Sequence, residues 1–263
     1  MTTPSIQVQQ APSVQYILRL ADTALILGQR LGEWCGHAPV LEEDIALANI
    51  ALDLIGQARA LLTRVGQLGG QGLHEDQLAF LREERDYRNA TIVELPNVPS
   101  RPGDFAFTVL RNAMMATWFR LMWERLRESS DSELAAIAGK AVKEARYHQQ
   151  HSADWVVRLG DGTDESARRM RAALDTLWRY SSELFESDAV DSAAAANGLG
   201  PRWETLREPW LAEMRELLDE AKLPMPADSA FRSSGKTGVH TEHMGFILSD
   251  MQYLQRAYPG GAW

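Results

Sequence analysis

Leu41-Glu42-Glu43-Asp44-Ile45-Ala46-Leu47-Ala48-Asn49-Ile50-Ala51-Leu52-Asp53-Leu54-Ile55-Gly56-Gln57-Ala58-Arg59-Ala60-Leu61 is the stretch whose periodicity decides the fold. Ile45, Ala48, Leu52 and Ile55 recur at helical spacing on one face. Leu47, Ile50, Leu54 and Leu61 recur on another. A helix apolar on two sides is expected to lie centrally, between other helices. Between the two sides runs a polar stripe, Asn49, Asp53 and Gln57, at i, i+4 and i+8. Such a stripe is a functional centre, a structural network or a face turned to water.

Outward from this helix (41–68) the pattern stays helical. Helices are expected over 13–34, 75–95, 105–128, 131–159 and 164–187, with a loop at 96–103 that holds three prolines and a glycine. Residues 191–200 read as a loop. Residues 201–222 read as a helix kinked at Pro209, 223–238 as a loop and 240–258 as a last helix. No run alternates like a strand. Long helices with short loops indicate an antiparallel bundle, so the expectation is an all-α chain with extra C-terminal helices. Residues 1–12 are expected to form a disordered arm and 13–263 a single domain.

The formal net charge of -9 with no Lys/Arg cluster argues against a nucleic-acid partner. The single cysteine, Cys35, excludes an internal disulfide and a Cys-based metal cage, and fits a reducing cytoplasm. No apolar run approaches the ~20 residues that span a bilayer, so no membrane association is expected.

A helical bundle with inward polar groups invites comparison with carboxylate di-iron proteins. Those take a Glu from each of two helices and Glu-x-x-His from each of two others, a spacing that sets both ligands on one face. None of the six histidines here has an acidic residue three positions before it, and residues 105–123 contain no acidic residue at all. The nearest approach is Glu144, His148 and His151, at i, i+4 and i+7. With a carboxylate from the second helix they allow a mononuclear metal site, an exposed Glu-His pair or a hydrogen-bonded buried histidine. Gly235-Lys236-Thr237 lacks the leading glycine and the strand of a P-loop, and His240-Thr241-Glu242-His243 lacks the zinc-protease spacing. The eight tryptophans read as core or interface residues, and as the expected anchors of a partner interface.

Several blocks carry a family resemblance: Leu31-Gly32-Glu33-Trp34-Cys35-Gly36-His37-Ala38-Pro39, Asp44-Ile45-Ala46-Leu47-Ala48-Asn49-Ile50, Asp53-Leu54-Ile55-Gly56-Gln57-Ala58-Arg59, Lys143-Glu144-Ala145-Arg146-Tyr147-His148, His240-Thr241-Glu242-His243-Met244-Gly245 and Met251-Gln252-Tyr253-Leu254-Gln255-Arg256. In this order, from about Tyr16 to Trp263, they resemble the PaaC subunits of phenylacetyl-CoA epoxidases. The resemblance implies a ferritin-like bundle in a cytoplasmic NADPH- and oxygen-dependent monooxygenase complex. It implies that a related PaaA-like subunit holds the di-iron site and the CoA thioester. A small subunit and a reductase with flavin and an iron–sulfur centre complete that system. Where a catalytic relative reads Asp-Glu-x-Gly-His, this chain reads Asp53-Leu54-Ile55-Gly56-Gln57: Leu54 stands for a carboxylate and Gln57 for an imidazole.

The expectation is therefore a non-catalytic structural subunit with no metal and no cofactor of its own. Asn49, Asp53, Gln57, Glu144 and His148 would mark a vestigial centre, with Arg19 or Arg30 supplying the positive charge that irons would otherwise bring. The competing readings are an autonomous metal-dependent ferritin-like oxidase and a self-contained helical binding or storage module.

Overall fold

The computed structural model describes residues 5–97 and 104–261. Among these the chain is all-α. The helices are α1 (Pro12–Gly32), α2 (Leu41–Gly69), α3 (Glu75–Phe80), α4 (Phe105–Leu126), α5 (Ser132–Gly160), α6 (Asp164–Leu177), α7 (Ala189–Ala196), α8 (Arg207–Glu220) and α9 (Glu242–Ala257). α1 and α2 form one antiparallel hairpin and α4 and α5 another; α2 and α5 also pack on each other. Gly28 lets α1 and α2 approach, since a Cβ there would lie 3.2 Å from the Ala51 carbonyl oxygen. α6 and α8 lean on the second hairpin, and α9 covers α3 and the end of α1.

The central helices are α1 and α4. Every residue from Val14 to Gly28 is buried, and so is every residue from Ala106 to Phe119. The expectation that α2 would be central is only half met. Leu47, Ile50, Leu54 and Leu61 face the core, but Leu41, Ile45, Leu52 and Ile55 are exposed. α2 is also long and apolar enough, by length and composition, to cross a membrane. Against that reading, its first turn carries Glu42, Glu43 and Asp44, and its core-facing side is packed.

A helix buried all round must satisfy every polar group that it carries. α1 does so by gripping irregular chain. Asp22 accepts from Arg82 Nη1 at 2.8 Å and Nη2 at 2.5 Å, with both side chains wholly buried, and also from the Arg88 amide at 2.8 Å. Burial alone would push the Arg82 guanidinium down, but Asp22 more than offsets it and holds Arg82 above its ordinary value. Thr23 Oγ1 accepts the Ala90 amide, and Arg19 clasps Asp188 and Asp191.

These demands explain the departures from helical expectation. The helix expected over 75–95 stops at Phe80, because the amides of Arg88, Ala90 and Thr91 donate to Asp22, Thr23 and Glu183 instead of to carbonyls one turn back. Residues 189–196, expected as loop, form α7, capped by Asp188, whose carboxylate accepts the Val190 and Asp191 amides. Pro209 causes no kink: it sits in the first turn of α8, where no helical amide bond is lost. The sixth helix gives way after Leu177 to a tighter 3-10 stretch, Trp178–Phe185.

Of the expected disordered arm, residues 1–4 lie outside the described residues. Ser5–Ala11 are not free: the Ile6 amide donates to the Leu81 carbonyl at 3.0 Å and Val8 is buried. Most of the expected 96–103 loop also lies outside the described residues.

The C-terminal segment is fastened by two buried carboxylates. Glu94 accepts from His240 Nδ1 at 2.6 Å, from the Thr241 amide and hydroxyl and from Asn89. Glu183 accepts from the Thr91 and Lys236 amides and from Ser233 Oγ.

Asp22→Ala should lower stability by about 3–5 kcal/mol, because it strands a buried guanidinium. Equilibrium unfolding in urea reads this directly; a loss under ~1 kcal/mol would show that the pair does not hold α1. A second expectation concerns pH. Burial lowers the His240 imidazole, but the Glu94 hydrogen bond and charge raise it further, so its net shift is upward. A raised folded-state value means that His240 stabilises fully below about pH 6.5, its unfolded value, and that this contribution is lost as pH rises through the folded value. The difference in melting temperature between wild type and His240→Gln should therefore shrink from pH 5.5 to pH 8.5; a constant difference would refute the charged pair.

Candidate functional site

Four of the five expected centre residues meet where α2 crosses α5. The two helices run antiparallel, so a step of four back along α2, from Gln57 to Asp53, matches a step of four forward along α5, from Glu144 to His148. Gln57 Nε2 donates to Glu144 Oε2 at 2.9 Å, and His148 Nε2 lies 3.0 Å from Asp53 Oδ2. Gln57 and His148 are buried, Glu144 is half-buried, and the Asp53 side chain is 40% exposed. Lys140, one turn before Glu144, reaches its other oxygen at 3.5 Å from the solvent side. Asn49 is exposed and stands outside the cluster.

A third pair extends the row: His151 Nε2 lies 2.8 Å from Glu43 Oε2. The i, i+3 step from His148 to His151 was its signal in the sequence. Its acidic partner was hidden, because Glu43 reads as an ordinary acidic residue of a helix first turn. Burial pushes the His148 imidazole below its ordinary value, against the upward pull of Asp53 and Glu144. A neutral imidazole donating to a half-exposed carboxylate is a structural hydrogen bond, and the row as a whole ties α5 to the polar edge of α2.

The expected arginine substitution for iron charge is not found. Arg19 is spent on Asp188 and Asp191. Arg30 donates to the Glu94 carbonyl and to Glu33. Neither needs to reach the centre, because Asp53 and Glu144 keep access to water and have His148, Gln57 and Lys140 as partners.

The residues present do not fit a di-iron centre. Among the described residues no group of three or more His, Cys, Asp or Glu side chains is placed to hold a metal ion. Gln57 directs an N–H at the carboxylate that an iron would need, and α4 has no acidic residue before Glu124. Elsewhere, a cleft floored by Trp178, Phe185 and Trp210 is rimmed by arginines that are already committed. Arg207 pairs with Asp228 and Arg232 with Glu186, while Arg179 lies over the Tyr180 and Phe231 rings.

The tryptophans do not serve as surface anchors among the described residues. Trp118, Trp123, Trp203 and Trp210 are wholly buried, Trp34 and Trp178 nearly so, and Trp155 is half-buried. The exposed large apolar residues are instead Val40, Leu41, Ile45, Leu52 and Ile55 at α2, Tyr147 on α5, and Val239, Phe246, Tyr253, Leu254 and Tyr258 at α9.

Comparison with known proteins agrees with the sequence blocks. The model of the family described as phenylacetic acid catabolic protein matches residues 1–263. The chain is 50% identical over 248 residues to the PaaC-type component of the 1,2-phenylacetyl-CoA epoxidase of Escherichia coli (strain K12), a match that covers 94% of this chain and 98% of that relative. With a match along its whole length and a relative identical at half of the aligned positions, the chain belongs to the phenylacetic acid catabolic protein family.

Proposed function

We propose that this chain is the non-catalytic structural subunit of a phenylacetyl-CoA epoxidase, supporting a paralogous PaaA-like subunit that carries the di-iron site. The observation that carries this reading is the pairing at the α2–α5 crossing. Each side chain of ligand type there is engaged by a neighbour on the facing helix: Asp53 by His148, Glu144 by Gln57, Glu43 by His151. A redox metal needs carboxylates converging on one point with open positions for oxygen. Side-by-side pairs along a helix seam lock two helices together instead. The likeness to one component of an epoxidase over nearly its whole length supports the same reading. The helical bundle is consistent with a ferritin-like ancestry in which the metal set has been replaced by hydrogen bonds. The proposal carries with it a cytoplasmic location, a small additional subunit and an NADPH-fed reductase with flavin and iron–sulfur centres.

Two measurements test it. The chain purified from iron-replete cells should carry far less than one iron per chain by elemental analysis. About two irons per chain would favour an autonomous ferritin-like oxidase instead. In the reconstituted complex, His148→Ala removes a buried ring and frees a half-exposed Asp53, a loss of about 1–3 kcal/mol in stability. Epoxide formation per assembled complex should then fall by less than about threefold. A fall of several orders of magnitude in fully assembled complex, the mark of a group acting in the transition state, would mean that this chain contributes to the active site.

A further inference from the structure

The face that α2 turns away from the core is built like one half of a coiled coil. Its apolar positions are Leu41, Ile45, Ala48, Leu52 and Ile55, which alternate steps of four and three along four turns of helix. In the folded chain Leu41 is 70% exposed, Ile45 54%, Leu52 65% and Ile55 40%. Gly56 beside the seam has no atom within 4 Å of where a Cβ would stand, which leaves room for a second backbone. Tyr147 of α5, 54% exposed, borders the same face, with its ring 6.2 Å from that of His148 and 6.1 Å from that of His151. With Val40, these side chains leave on the order of 500 Å² of apolar surface open. That is at the upper end for the largest patch of a monomer and most of the ~800 Å² per partner of a standard interface.

We infer that this seam is the surface on which the di-iron subunit docks, through an amphipathic helix laid along α2. The inference rests on the subunit role proposed above and adds the place and the chemistry of the contact. Strict four-three spacing selects a helix as occupant, because knobs at this period fit the holes of another helix. Charge selects a partner other than a second copy. Two-fold antiparallel pairing of α2 with itself about Ala48 would bring Glu42, Glu43 and Asp44 of one copy against Asp53 of the other; parallel pairing would set the same acids on themselves. The partner helix should instead present Lys or Arg opposite Glu42–Asp44. The same acids disfavour an anionic lipid surface, which attracts basic amphipathic helices. The α2–α5 pairs then have a purpose: they hold the inner edge of the docking helix rigid.

The test is co-purification of the full chain with the PaaA-like subunit of the same system, with Leu52→Glu, Ile45→Glu and Leu41→Arg on the seam and Phe246→Glu on α9. The seam side chains project into solvent, so the isolated variants should keep the wild-type melting temperature; Leu41→Arg, at the most exposed position, is the safeguard should a glutamate perturb folding. Each seam variant is expected to weaken the complex at least tenfold, with Phe246→Glu unchanged. If wild type fails to bind the partner, the subunit role itself fails. If wild type binds and the folded seam variants bind equally well, or only Phe246→Glu disrupts binding, the role stands and the seam assignment falls. The assignment also falls if the seam substitutions abolish self-association of the isolated chain, or its capture by phosphatidylcholine vesicles, while leaving the complex intact.

Discussion

The ion pair between Asp22 and Arg82 is the constraint on which the rest of the structure hangs. A helix as thoroughly buried as α1 can carry a carboxylate only where a cation and amide donors are brought to it. Arg82 and the Arg88 amide are brought to it by abandoning helix after Phe80. Once that stretch leaves the helical path, its amides need acceptors, and Thr23 and Glu183 provide them. Glu183 and Glu94 in turn collect donors from 233–241, and the C-terminal segment is fixed as a consequence. The fold is thus a helical bundle whose irregular parts are sewn to its central helix by buried charge.

This design separates two jobs that a di-iron bundle combines. In a metal-bearing relative, carboxylates inside the bundle would serve the metal. Here the buried carboxylates Asp22, Glu94, Glu183 and Asp191 serve backbone and cations. The ligand-like residues at the α2–α5 crossing sit nearer water, and Asp53 and Glu144 need no metal because solvent and a partner reach both. Losing the metal therefore requires no compensating arginine, which is why Arg19 and Arg30 are free to anchor 188–191 and 94–97.

Much of the site was legible because helices turn spacing into geometry. Asp53 and Gln57, four apart, and Glu144 and His148, four apart, can pair two by two wherever their helices cross antiparallel, and they do. Asn49 shares the spacing yet stays in solvent, because α5 covers only part of the stripe. His151–Glu43 was illegible as a pair, since nothing in either helix alone states the register between them.

By itself the sequence determined the all-α class, the four long helices and the absence of Glu-x-x-His ligand pairs, since periodicity and ligand spacing are local properties of a chain. Through its ordered blocks it also carried the family. Only the tertiary structure decided which helices lie at the centre and which apolar side of α2 is left open. It also decided that 81–95 is irregular, that 189–196 is helical, and that the tryptophans face inward. A hydrophobic stripe records that a surface prefers to be covered, but the covering can come from the same chain or from another one, and local pattern is the same in both cases. Long-range charge pairing, such as Asp22 with Arg82 sixty residues on, leaves no periodic trace, yet it is strong enough to override helix propensity where it acts.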